Sequence, residues 1–374
     1  MSELGPDPRR QEKAREYAGL TRRFLFLELG LGVAFMLVLL LTGLSSGLRD
    51  LLSLPQPARV VSYFLIVMLG YGVVSAPVAA YRGFVLPHRY GLSCQSWQSW
   101  AADMAKEGIL ALVLSTCFVA VIYSLLESFP QGWWLLASGF GALVTVVMTR
   151  LAPVLILPLF YKLRPLADAE LRSRLLRLAE RTQTRVGDVF QIDFSDKTST
   201  GNAMVMGWGS TRRIALSDTM LRDYTPEEIE VVMAHEFGHH RHRDIAKLTI
   251  VQSILMLLGF YSANLTLTWA VPTLGLDSVS DVAAFPVLAL VLLTLTLLLA
   301  PLVNAYTRHV ERAADRFALA ATSNPNAFVS MLTKLTDQNL VESEPGRWTE
   351  ILFCDHPPYY KRLELAHRFR REEH

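Results

Sequence analysis

Six apolar stretches, each long enough to cross a bilayer, restrict this chain more than any other feature. They run approximately over residues 24–44, 60–81, 108–127, 132–157, 248–272 and 282–307. A spanning helix needs about 20 predominantly apolar residues. The composition agrees, since 51% of the 374 residues are hydrophobic and only 19% are charged, with a mean hydropathy of +0.29. That is more apolar than an ordinary soluble domain. The first stretch holds one charge, Glu28, to be read as a buried functional carboxylate or as a group turned toward neighbouring helices. Residues 1–23 carry several arginines, and no small-residue cleavage motif follows the apolar run. The first span is therefore read as a retained helix and not a removed signal peptide.

Lysine and arginine set the expected orientation. Arg9, Arg10, Lys13, Arg15, Arg22 and Arg23 precede the first span, Arg82, Arg89 and Lys106 follow the second, and the segment after the fourth is rich in both. The connections 128–131 and 273–281 contain neither residue, and 45–59 has only Arg49 and Arg59. With six alternating spans the heavier loops fall on one side, the expected cytoplasmic side, together with both termini. The formal net charge of +2, with no single basic face, argues against a nucleic-acid partner. Cys94, Cys117 and Cys354 are scattered without a CxxC pair, so neither a disulfide framework nor a cysteine metal site is expected.

The two polar regions, 161–245 and 308–374, face one compartment and make about 150 residues together, enough for one compact domain. In "DAELRSRLLRLAERT" (168–182) Leu171, Leu175, Leu176 and Leu178 recur at helical spacing. "DVFQIDFS" (188–195) alternates as a strand does. "NAMVMGW" and "RRIALSD" flank "GST" at 209–211 and read as a hairpin. A helix starts at "TPEEIE", where Thr225 is the N-cap, Pro226 takes the first position and Glu228 completes a capping box. No proline follows until Pro272, so this helix either continues into the fifth span or breaks at the interface.

That helix carries "HEFGH". His235 and His239 lie one turn apart and present two imidazoles to one ion, while Glu236 is placed to act as general base toward an attacking water. A catalytic zinc usually takes a third protein ligand. "HVERAADRFALAA" (309–321) offers Glu311 and Asp315, four apart on one face. One of them would bind the metal and the other would accept a hydrogen bond from a ligand histidine. His240 and His242 of "HHRHRD" point off the ligand face and are expected to meet lipid headgroups.

With these residues the chain resembles the integral-membrane zinc metallopeptidases related to the Ste24 CAAX prenyl protease. The likeness extends through "RGFVLPHRYGLSCQSWQSWAADMAK" (82–106), "PLFYKLRPLADAEL" (158–171), "STGNAMVMGWGSTRRIALSDTML" (199–221), "NAYTRHVERAADRFA" (304–318) and "HPPYYKR" (356–362), in the family's order. It is more specific than HExxH alone and separates the chain from the shorter HtpX-like membrane proteases. The resemblance implies that His235, His239 and Glu311 hold one Zn2+ per chain and that Asp315 orients a ligand histidine. It also implies that Asn202 and Ala203 open an edge strand pairing with the substrate backbone, and that His356 and Arg362 sit near the oxyanion. His356 taken alone reads as a surface histidine before a Pro-Pro turn. The family's eukaryotic members are usually drawn with seven spans around a large chamber, whereas six are counted here, with the shortfall before residue 82.

The expected protein is an α-helical polytopic membrane protein with a cytoplasmic zincin-like α+β metalloprotease domain. Residues 1–160 are expected to form an N-terminal membrane region of about four helices, and 246–307 two further ones. Residues 161–245 and 308–374 would form the two parts of the protease domain. The expected activity is zinc-dependent cleavage of peptide or membrane-protein substrates, prenylated ones included, at the bilayer. Two rival readings are a quality-control protease for misfolded membrane proteins and a non-catalytic transporter or scaffold.

Overall fold

The computed structural model describes residues 5–207 and 212–372. Helix α1 (Pro8–Leu41) starts where Asp7 caps the Arg9 N–H at 2.8 Å, with Pro8 at the first helical position. A short helix α2 (Leu44–Leu51) follows. Three long helices come next: α3 (Ala58–Arg89), α4 (Trp97–Ser128) and α5 (Trp133–Phe160). Both α3 and α5 contain one π turn, at Tyr81–Val85 and Ala152–Ile156. The cause is local. Pro87 and Pro158 each clash with the carbonyl four residues earlier, at Gly83 and Val154, and both of those lie inside the π turns.

The polar domain begins with β1 (Leu163–Pro165), α6 (Ala169–Arg181), β2 (Asp188–Ile192), β3 (Ala203–Met206) and β4 (Arg213–Ser217). The sheet order is β1-β2-β4-β3, with β2 parallel to β4 and the other pairs antiparallel. The expected hairpin strands pair as β3 and β4, and their turn at 209–211 lies outside the described residues. Helices α7 (Asp218–Asp223) and α8 (Pro226–Arg241) lead to α9 (Asp244–Leu274), and α10 (Phe285–Thr322) returns. The chain ends in α11 (Pro325–Gln338), α12 (Arg347–Phe353) and α13 (Tyr359–Glu372).

Among the described residues, six helices are long and apolar enough to span a membrane. Their outer faces are lined by exposed Leu, Val, Ile and Phe, while Tyr63, Phe64, Tyr123, Trp133 and Phe260 fill the interior. Polar groups inside are paired as a bilayer demands. Trp133 donates to Asn264 at 2.8 Å. Ser45 joins Tyr63 and the Ala283 carbonyl. Glu28 turns to Arg82 of α3.

Several of these helices exceed the sequence-read spans because they continue as protein-supported rods beyond the apolar core. The N-terminal part of α1 is held by the polar domain. Asp7 N–H donates to Asp337 at 2.9 Å, Gln11 bonds Val341 and Ser343, and Arg22 pairs with Glu342. The chain's N-terminal end and its C-terminal segment therefore lie together. The polar domain has its own core, in which Leu175, Ile214, Leu216, Met233, Phe237, Leu319 and Phe328 join the sheet to α6, α8, α10 and α11.

Candidate metal centre

Helix α8 is fixed at its start by the expected capping box. Glu228 N–H meets the Thr225 hydroxyl at 3.3 Å, and Thr225 N–H meets the Glu228 carboxylate at 2.8 Å. Ser330 and Lys334 of α11 bind the same buried carboxylate at 2.6 and 2.7 Å. Arg174 of α6 reaches Glu230 at 2.6 Å and Glu227 at 2.7 Å. In the last turn of α8, Gly238 permits close approach of α10, since a Cβ there would lie 3.1 Å from the Ala314 Cα. This near contact brings the two chemical segments together.

The His235 and His239 Nε2 atoms are 3.2 Å apart. Glu311 of α10 lies 3.2 Å from the first and 3.4 Å from the second. Among the described residues these three offer donor atoms that all lie within 4.8 Å of one another. Each imidazole turns its other nitrogen to a carboxylate: His235 Nδ1 to Asp315 at 3.0 Å and His239 Nδ1 to Asp244 at 3.1 Å. With Nδ1–H donating, both Nε2 lone pairs face inward, toward each other and the Glu311 carboxylate. Acceptors facing acceptors are satisfied by positive charge.

Two further observations agree. Glu311 Oε2 is buried without a hydrogen-bond partner among the described residues. Burial pulls the His235 imidazole down, yet its hydrogen bond to Asp315 and the adjacent Glu311 carboxylate outweigh it and push the group up to about 10. The acidic surroundings thus favour a cation at this point, and the two imidazoles and one carboxylate are the donor set of a catalytic zinc. The residues present fit the metal.

Glu236 stands beside this triangle on the wall of a cavity of about 490 Å3, shared with His235, Gly201, Asn202, Ala203 and His356. Burial raises its carboxyl above the ordinary range, and the positive charge of His235 and His239 offsets part of the rise. His356 Nε2 lies 3.3 Å from Glu311, and its Nδ1 lies 2.8 Å from Asp355. The hydrogen bond with Asp355 pushes the imidazole upward, burial acts in the opposite direction, and Glu311 adds to the rise. Arg362 also lines the cavity, but its Nε and Nη2 engage Asp315 at 2.9 and 2.6 Å. It stands behind the Asp315–His235 pair and holds Asp315 from the cavity wall.

β3 is an edge strand of the sheet. Ser217 N–H donates to the Asn202 carbonyl at 2.9 Å. By alternation, Ala203 and Val205 turn their main-chain groups to the free edge. His240 covers the Val205 end with a hydrogen bond to its backbone, and burial, Arg212 and His239 pull that imidazole down to about 4. The Ala203 end opens on the cavity. His242 packs edge-on against Phe317, 5.7 Å between ring centres. The expectation that His240 and His242 meet lipid headgroups is thus corrected, because both rings find partners within the domain.

Asp244 was missed in the sequence. The helix breaks at Arg243, which takes a left-handed φ of 57°. The chain turns there so that Asp244, at the start of α9, faces back to His239. An acid five residues after the second histidine, at the head of a span, was the available signal.

The family model for peptidase family M48 matches residues 165–369. The model described as the CAAX prenyl protease N-terminal region, with five membrane helices, matches residues 7–162. Over that region this chain has four helices of spanning length and the short α2. An uncharacterised metalloprotease of Bacillus subtilis, YhfN, is 27% identical over 362 residues, covering 95% of this chain and 85% of that protein. The CAAX prenyl protease 1 homolog of Oryza sativa is 27% identical, covering 79% of this chain and 70% of its own length. CAAX prenyl protease 1 of Saccharomyces cerevisiae is 31% identical over 189 residues, 50% of this chain and 42% of that one. In fold, the chain matches the crystal structure of S. mikatae Ste24p with a TM-score of 0.81 at 23% identity, covering 96% of this chain and 89% of the other.

Proposed function

The chain belongs to peptidase family M48, and on that premise we propose that it is a zinc-dependent endopeptidase cleaving membrane-associated substrates, prenylated CAAX-type proteins among them. The observation that carries this reading is the triangle of His235, His239 and Glu311 on the wall of the cavity where the β3 edge opens. In this reading those three residues hold one zinc, which supplies Lewis-acid activation of water and of the scissile carbonyl when bound. Asp315 and Asp244 keep the two ligand imidazoles in the tautomer that presents Nε2. Arg362 fixes Asp315.

Glu236 accepts the proton of the attacking water and returns it to the leaving amine, a task suited to a carboxyl raised by burial. His356, standing between Glu311 and the open cavity, directs an N–H toward the oxygen on which charge develops. The main chain at Ala203, next to Asn202 on the cavity wall, pairs with the substrate in extended form and fixes which bond reaches Glu236. The protease domain, divided between 161–245 and 308–374, and both termini would lie on the cytoplasmic face, a placement that the lysine and arginine distribution supports. The bilayer then delivers the substrate.

The test is mass spectrometry of products from the full chain in liposomes, offered short prenylated peptides and unfolded membrane segments in parallel, with zinc measured in the same sample. Cleavage of the prenylated peptides with one zinc per chain is expected. Cleavage of the unfolded segments alone would point to quality control. Neither activity nor zinc would point to a scaffold.

A further inference from the structure

Helix α12 is too short and too polar overall to count as a span, yet its outward face is apolar. Trp348 is 74% exposed, and Leu352 and Phe353 are exposed beside it. Trp348 and Leu352 are four residues apart and share one face. The opposite face is anchored in protein. The Glu350 carboxylate takes Lys361 Nζ at 2.6 Å, and Arg308 of α10 donates to the carbonyls of Glu350 and Cys354 at 2.8 and 2.5 Å. Asn304, a turn earlier on α10, donates to the Leu352 carbonyl at 2.8 Å. The Phe353 ring meets Phe26 of α1 edge-on, 5.8 Å between centres.

These neighbours locate the helix. Phe26 sits in the apolar run of α1. Leu302 and Leu298, just before Asn304 on α10, are both 68% exposed on the outer surface of the spans. The exposed face of α12 is therefore continuous with the lipid-facing belt, at the end that carries the sheet. Aromatic residues with aliphatic neighbours at this level are those that occupy a membrane interface.

We propose that α12 is seated in the bilayer interface, with Trp348 and Leu352 against lipid and Phe353, which packs on Phe26 and lines the cavity, at the boundary between the two. Cys354, Asp355 and His356 follow without a break and line the cavity beside the metal centre. The lipid surface and the cavity thus share one wall, and Arg308 holds it from behind. The assignment rests on the continuity of the exposed face with the belt and does not depend on catalysis or on the metal.

The test is nitroxide accessibility in the full chain in phospholipid vesicles, after Cys94, Cys117 and Cys354 are replaced by alanine. Single labels go to Trp348→Cys and, as a second position, Leu352→Cys. Leu302→Cys serves as the lipid reference and Glu344→Cys, in the exposed loop before α12, as the water reference. Both α12 labels are expected to be relaxed by oxygen more than by a water-soluble nickel chelate, as at Leu302. Nickel accessibility equal to that at Glu344 would overturn the proposal. Protection from both reagents would overturn it too, because a protein partner or a second copy would then cover the helix.

Discussion

Gly238→Ala isolates the close approach of α8 and α10. The added Cβ would lie 3.1 Å from the Ala314 Cα and 3.3 Å from the Phe317 Cβ. Backbone cannot swing aside as a long side chain can, so the helices must part by a few tenths of an ångström. Overpacking of this kind costs about 1–3 kcal/mol, and alanine returns about 1 kcal/mol of helix propensity. Net destabilisation is therefore roughly 0–2 kcal/mol, and the fold survives. The metal centre is less tolerant. His239 is the next residue, Glu311 is one turn before Ala314, and their atoms face each other at 3.4 Å. Zinc affinity should fall about 10-fold or more, the scale seen when ligand positioning is disturbed. Competition with a chelator gives the affinity and thermal unfolding the stability. Gly108→Ala, inside α4 with a Cβ that would meet nothing within 4 Å, is the control and should leave zinc affinity unchanged while gaining up to about 1 kcal/mol of stability. Wild-type zinc affinity in Gly238→Ala would refute the idea that this contact sets the ligand spacing.

Asp244→Asn should weaken zinc binding by about 10–100-fold with the fold intact, and unchanged binding in the same competition would remove Asp244 from the centre. Asp218 holds the 194–195 turn through Phe194 and Ser195 N–H at 2.8 and 3.0 Å. Burial alone would raise its carboxyl, but the hydrogen bonds from Ser195, Phe194 and Thr219 leave it below its ordinary value of 3.8. A depressed folded pKa gives stability that is full above the ordinary value and is lost as pH falls through the depressed one. Asp218→Asn should therefore cost about 1–3 kcal/mol at neutral pH, with the gap to wild type closing in acid; thermal unfolding that shows a constant gap would refute this. Cysteines at Ser128 and Ser278, in a chain without its native cysteines, should react with an impermeant thiol reagent applied from outside the cell, and labelling of Ser195→Cys instead would invert the topology.

The membrane helices were legible because length and apolarity alone specify them in a bilayer. The metal helix was legible because Thr225, Pro226 and Glu228 write its start, and because spacings of four place His235 with His239 and Glu311 with Asp315. Other features depend on contacts between distant segments. The parallel pairing of β2 with β4 joins strands that flank β3, and no local pattern records it. Helix α1 reaches Pro8 because Asp337, Val341 and Glu342 support it. The engagement of Arg362 by Asp315 joins α13 to α10 across 47 positions. The break at Arg243 leaves no proline or glycine signal, and with it the part of Asp244 stayed hidden.

The central claim is that Glu236 moves protons while His235, His239 and Glu311 hold the metal. Glu236→Gln keeps the shape and removes the base. Zinc content and hydrolysis of one defined peptide, measured on the same preparation, decide it. The account predicts one zinc per chain and a loss of at least about 10²–10⁴ in kcat, whereas zinc-loaded Glu236→Gln with substantial turnover would contradict it.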